Sequence, residues 1–450
     1  MSQSTQVSRR DTPRRIRSKR RRATCWALLA AAACLIGGPP LAAQESDPTD
    51  GNPSEQGPST VPNVVGGPDR VENLILLDLL GSGFLAEFEF LKGWNAWKKN
   101  LRETHGFSFG IDYSSAWFSG SNALPERPGD AAGGMVRFYG SWELLGRGTD
   151  NSGAFVWKVE NRHGYIETPP VGLASNLGST GLFLPPFSDQ QNRWTNLYWR
   201  QRIGGRATVF VGFVDATDYV DVYAMASPWT GFTNFAFSTG AQTIAVPNDA
   251  AFGIAAGYMV TDNIFVIGGL VDSNADPTKP LDGFNSFFDQ HEFFKSIEIG
   301  YTSGAGMIYL DNAHVTFWHQ DERIEAGAPS GWGFNLSATK WISDKFFPFL
   351  RMGYAEDGGS LMQKSVAAGL GFQPVAGGHV LGVGLNWGQP SESTWGSSDL
   401  RDQITIETFG RLMLARELAL TPTLQFVFNP PLNPDVGSTV VVGLRARFAL

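Results

Sequence analysis

From Phe107 to the C-terminus the chain alternates apolar and polar residues with a period of two. Phe107, Phe109, Ile111 and Tyr113 stand between Ser108, Gly110, Asp112 and Ser114, the spacing of a strand with one apolar and one polar face. The alternation recurs and predicts sixteen strands. The first eight are 107–118, 131–144, 154–162, 194–203, 208–216, 250–260, 264–273 and 294–302. The rest are 313–320, 331–341, 346–355, 365–373, 379–388, 402–413, 418–428 and 438–450. Connections after odd strands are mostly long (119–130, 163–193, 217–249 and 274–293). Those after even strands are short, such as 204–207, 261–263, 342–345 and 414–417. In an antiparallel sheet this collects the long loops at one end, the asymmetry of an outer-membrane barrel. The expected fold is all-β: a transmembrane antiparallel β-barrel of about sixteen strands, with a short N-terminal helical segment.

The last strand shows both faces. Val440, Val442, Leu444, Ala446, Phe448 and Leu450 form one row, with Arg445 and Arg447 on the other. In a membrane barrel the apolar row meets lipid and the arginines a wet lumen. Phe155, Trp157 and Val159 oppose Lys158, Glu160 and Arg162 in the same way, and Val136, Phe138 and Trp142 oppose Arg137 and Glu143. Strand 208–216 is apolar on both faces, so its pattern leaves it unoriented.

The N-terminal part divides differently. Nine basic residues and one acid crowd the first 22 positions. An uncharged apolar run from Ala23 to Ile36 follows, then Gly-Gly-Pro-Pro and Leu41-Ala42-Ala43, whose small alanines suit cleavage. That reads as a secretory signal over 1–43, cleaved before Gln44, because the run is too short to span a bilayer. Residues 44–69 form a Pro- and Ser-rich flexible leader. Within 70–106, Leu91, Trp94, Trp97 and Leu101 fall at helical spacing and Gly106 can end the helix, leaving 107–450 to the barrel.

Composition agrees and narrows the chemistry. Gly is 53 of 450 residues and charged residues are 17 %, against roughly 25 % charged in an ordinary soluble domain. Without 1–43 there remain 26 basic and 42 acidic residues, an acidic balance that disfavours nucleic acid as a partner. Both cysteines, Cys25 and Cys34, lie in the signal segment, so no thiolate metal site or Cys nucleophile is expected. His314 and His319 are five apart on one strand and face opposite sides. No HExxH, G-x-S-x-G or Walker-type loop occurs, so no catalytic residues, metal or cofactor are expected.

Certain segments resemble the carbohydrate-selective porins of the OprB type. These are FLKGWNAWKKNLRETHGFSFGIDYSS before and into the first strand, NLYWRQRIGGRATVFVGFVDATDYV in the middle, and LALTPTLQFVFNPPLNPDVGSTVVVGLRARFAL at the end. The likeness covers about 90–450. It implies a sixteen-stranded outer-membrane barrel in contact with lipid, passing small sugars by passive diffusion, and a trimeric assembly. The alternatives are a general or differently selective channel for ions or organic acids, and a surface protein anchored by its barrel.

A selective pore must replace the water hydrogen bonds a sugar gives up. Arg supplies fixed donors and carboxylates supply acceptors. The lumen-facing candidates are Asp112, Arg137, Glu160, Arg200, Arg351, Glu407, Arg411, Gln425 and Arg445. Strand stagger hides which of them share one height. Loop 217–249 carries Trp229, Phe232, Phe235 and Phe237, too aromatic for a free external loop. It is expected to fold inward and narrow the barrel, the alternative being to pack on a neighbouring subunit.

Overall fold

The computed structural model describes residues 66–450 apart from Ala86, Glu87, Leu182 and Ala376. The expected signal segment and the leader through Val65 lie outside these residues. Sixteen strands form one closed antiparallel ring. They are β1 (Phe107–Gly120), β2 (Asp130–Leu145), β3 (Gly153–Gly164), β4 (Gln191–Ile203), β5 (Ala207–Val214), β6 (Ala251–Met259), β7 (Ile264–Asp272) and β8 (Phe293–Thr302). The second half is β9 (Asn312–Gln320), β10 (Gly331–Thr339), β11 (Phe346–Asp357), β12 (Met362–Phe372), β13 (Val380–Pro390), β14 (Gln403–Ala415), β15 (Leu418–Phe428) and β16 (Ser438–Ala449). Each pairs with its sequence neighbours, and β1 closes on β16 through pairs such as Ser115 with Ala446. No strand end departs from the sequence reading by more than three residues. The alternating pattern is strong here because each strand has one face toward lipid and one toward the lumen.

The faces fall as the pattern requires. On β16, Val442 and Leu444 are 43 % and 45 % exposed on the outer wall, while Arg445 between them and Arg447 is 3 % exposed and turned inward. His314 is buried in the lumen and His319 is outside. The lumen of this barrel is filled by the protein itself. Among the described residues three segments enter it: the N-terminal stretch from Gly66, the connection between β3 and β4, and the long connection between β5 and β6.

The N-terminal stretch forms α1 (Val71–Leu80), whose Val71 and Leu74 are fully buried inside the ring. They pack with Tyr139 of β2, Val156 of β3, Tyr198 of β4 and Phe210 of β5. This explains the two-sided apolar character of β5. Val211 faces out, whereas Phe210 stacks on Tyr198 at 4.7 Å beneath the helix. The chain then runs along the short-turn rim, with the amides of Phe84 and Leu85 bonded to the carbonyls of Met413 and Leu414. It turns into α2 (Lys92–His105), which sets Trp94 and Trp97 against Phe109. Gly106 ends α2 with a left-handed φ of +67°, its amide bonded to Arg102, a conformation that costs a side-chain-bearing residue about 1 kcal/mol.

At the opposite rim, α3 (Pro280–Asp289) lies on the outer wall, setting Phe284 and Phe287 edge-to-face against Phe252 of β6. It stands beside a notch made where the β5–β6 connection turns inward. The free edge of β4 there is completed by Pro277, whose carbonyl accepts from the Trp194 amide at 2.9 Å.

Candidate functional site

The β5–β6 connection, residues 215–250 (the inner loop), leaves the wall at Asp215, whose carboxylate caps the following turn by accepting from the Thr217 amide at 2.9 Å. It crosses the lumen and packs against the far wall. Phe232 meets Phe409 of β14 at 5.0 Å and Phe237 at 4.6 Å, and Tyr223 meets Phe349 of β11 at 5.2 Å. Phe232 and Phe237 are buried, Trp229 and Phe235 half-buried. The β3–β4 connection braces the loop from the side, with Leu184 bonded to Thr233 and Phe187 5.6 Å from Trp229.

All nine lumen candidates point inward and are buried. The register brings some of them together. Asp112 pairs with Arg137 across β1–β2, and Arg137 with Glu160 across β2–β3, so these three share one height. Arg137 makes a two-pronged bond to Asp112 at 2.9 and 2.5 Å, and Arg447 donates to the same carboxylate at 2.7 Å. Arg137 also lies over the Trp229 ring at 4.3 Å, a cation–π contact of the desolvated, stronger sort. Glu160 receives Arg162 at 2.7 Å, and Arg162 and Arg193 converge on Asp249 of the inner loop at 3.0 and 2.5 Å.

A second group holds the loop on β14–β16, the strands that follow β1 round the ring, and on β11. Glu407 and Gln425 are cross-strand neighbours. Glu407 accepts from the amides of Thr233 and Asn234 at 2.6 and 2.9 Å and from the Thr233 hydroxyl at 2.8 Å. Gln425 donates to that hydroxyl at 2.5 Å. Arg445 donates to the carbonyls of Pro228 and Gly231, both at 2.6 Å. Arg351 bonds the loop at Ser238 and Asp221. Arg200 stands apart, paired with Glu72 of α1 and with Glu143 at 3.3 Å. Arg411 lines a small cavity with Ser114, Trp229, Thr421, Arg445 and Arg447, and its Nη2 has no hydrogen-bond partner.

Several residues that organise the lumen were not among the sequence candidates. Asp215, Asp218 and Asp221 all face lumen cations or histidine: Lys158 lies 4.0 and 3.9 Å from the first two, and His314 and Arg351 meet the third. Their i, i+3, i+6 spacing in an otherwise apolar stretch was the available signal. Glu72 and Asp78, the two acids of α1, are the other omission; they interrupt the run VENLILLDLL. Among the described residues no group of three His, Cys, Asp or Glu is arranged to hold a metal ion.

Burial, with the charges of Asp249 and Asp218, pushes the Asp215 carboxyl up to about 8 from an ordinary 3.8. A carboxyl raised in the folded state favours the docked loop fully below its ordinary value, and that contribution is lost as pH rises through the raised one. Single-channel current noise is therefore expected to grow between about pH 4 and pH 8, with the inner loop seated less firmly. Asp215→Asn keeps the Thr217 bond and should abolish that step. A noise level flat across the range in the unsubstituted protein would count against the assignment.

The comparisons with known proteins agree with this architecture. The profile of the family described as carbohydrate-selective porin, OprB family, matches residues 72–450. Porin AaxA of Chlamydia felis (strain Fe/C-56) is 25 % identical over 227 residues, 49 % of this chain and 49 % of that protein, so the chain spans about half the length of this curated relative. Among solved structures, the high-pH structure of Pseudomonas putida OprB superposes with a TM-score of 0.62 at 13 % identity, over 79 % of this chain and 97 % of that one.

Proposed function

The chain belongs to the OprB family of carbohydrate-selective porins, and from that membership we propose that it passes small sugars by diffusion through an outer membrane. The observation that carries this reading is the inner loop. It is an aromatic segment lying across the lumen beside fixed donors (Arg137, Arg445, Arg447) and acceptors (Asp112, Glu407) of neighbouring strands, with Trp229 against Arg137. Fixed donors, acceptors and an aromatic face together suit a neutral polyol, which offers hydroxyls for hydrogen bonding and a C–H face for stacking. A channel selective for ions alone has no use for the aromatic face.

Seven of the nine lumen candidates then divide in role. Glu407, Gln425, Arg445 and Arg351 hold the inner loop in place. Arg411, with its unpartnered nitrogen, and the Asp112–Arg137 pair beside Trp229 are the side chains that a passing sugar meets. The family resemblance adds a trimeric assembly in the membrane. Planar-bilayer recording with a panel of sugars tests the reading: sugars should block ion current in a concentration-dependent way, and Arg411→Ala should weaken that block while the barrel remains folded. Conductance that no sugar alters would favour the general diffusion channel instead.

A further inference from the structure

The arginines on one side of the lumen are already occupied, and the occupant is the chain's own N-terminal segment. Gly66–Leu80 runs inside the ring from the inner loop toward the short-turn rim. At its deep end the Gly67 amide bonds to the Asp218 carbonyl at 2.7 Å, and Asp69 accepts from Ser227 at 2.5 Å, both on the inner loop. One turn on, Glu72 is gripped by Arg200 of β4 and by Arg70 at 2.6 Å. At the rim end Asp78 is met by Arg447 of β16 at 2.8 Å and by the hydroxyl of Tyr139. Between these points Val71 and Leu74 fill an apolar seat made by Tyr139, Tyr198 and Phe210.

Two carboxylates meeting two lumen arginines, with an apolar ridge between them in a matching hollow, is the anatomy of a docked peptide. Covalent continuity explains none of it. A segment that merely left the barrel toward the rim would need no charge-matched seat within it. On the far side of α1 the chain follows the rim, where the amides of Phe84 and Leu85 bond to Met413 and Leu414 and the Phe84 ring lies 4.3 Å from His379.

We propose that Gly66–Leu80 is a tethered blocking peptide and that the inner wall of β2–β5 with Arg447 is its receptor, a site for a largely apolar helix carrying two spaced carboxylates. While docked, it closes the half of the lumen that the inner loop leaves free. Undocked, it opens the path and bares Arg200 and Arg447 to solutes. The inference rests on the channel reading above.

Three measurements in planar bilayers test it. A full-length chain lacking 66–80 should conduct severalfold more than the intact one. A synthetic peptide spanning 66–80, added from the short-turn side, should close that variant, whereas the same peptide carrying Glu72→Gln and Asp78→Asn should not. The third test keeps the whole chain. A Cβ at position 67 would lie 3.1 Å from that of Val222, near the roughly 3.8 Å of a disulfide. The pair Gly67→Cys and Val222→Cys should therefore hold the channel shut when oxidised and release it with a reductant. The Cys pair keeps the test available if the deletion variant fails to fold. Equal conductance of the oxidised and reduced pair, or of the folded deletion variant and the intact chain, overturns the proposal and makes α1 a fixed filler. If no form conducts under any condition, it is the channel reading that fails.

Discussion

Asp221→Ala should free the inner loop from the wall while the barrel stays closed. Asp221 gathers more of the loop's polar anchoring than any other residue described above. Its carboxylate accepts from Arg351, from His314 Nε2 at 2.9 Å and from the Gly240 amide at 2.7 Å, and its own amide donates to Glu298 at 2.9 Å. Burial alone would raise the Asp221 carboxyl, but the Arg351 guanidinium against it, with His314, holds it below its ordinary value. Removing one partner of a buried ion pair leaves the other charged and dry, at a cost of about 3–5 kcal/mol. Here that cost falls on the docked loop, because Arg351 and His314 belong to strands locked in the ring. Limited proteolysis within 217–249 should rise sharply, with heat-modifiable migration unchanged to show an intact barrel. Asp221→Asn, which keeps the acceptor oxygen, should lie between. A loop as protected in Asp221→Ala as in the unsubstituted chain would sink the assignment.

Excising residues within 226–238 should raise single-channel conductance severalfold. This stretch contains the carbonyls that Arg445 holds, the amides that Glu407 holds and the rings of Trp229, Phe232, Phe235 and Phe237. Nothing in the wall depends on it for pairing, since β5 and β6 already pair with each other from Ala207 with Tyr258 to Val214 with Ala251. The cost of excision is confined to the lumen, where Glu407 and Arg445 regain water in place of the loop. Unchanged conductance would mean that the path runs elsewhere, and the sugar contacts assigned beside Trp229 would fall with it.

What the sequence could show follows from which physical rule governed each element. Strand boundaries were readable because a lipid-facing row is set by the solvent on one side, whatever the lumen holds: Val442 and Leu444 need only hydrocarbon beside them. The inner faces were harder. β5 defied orientation because its lumen side docks α1, so an apolar residue was correct on both faces. That Asp112, Arg137 and Glu160 share a height depends on the stagger between β1, β2 and β3, which the local pattern does not contain. The lumen arginines were found as types, but their partners were not, since Glu72 and Asp78 lie in an apolar run that in isolation reads only as helix.

The seam between β1 and β16 has a consequence for how the molecule is made. It joins residues more than three hundred positions apart, such as Asp112 with Ala449, and contacts so distant in sequence form late because a long chain must first be brought together. The apolar seat of α1 is built mainly from β1–β5, which follow it closely in the chain, whereas the Asp78–Arg447 bond waits for the seam. An open sheet of the early strands would expose Tyr139, Tyr198 and Phe210 to water and to other chains, the kind of surface on which nascent proteins aggregate. By settling there first, α1 would act as an internal chaperone for the unfinished sheet, and closure would then enclose it in the finished ring.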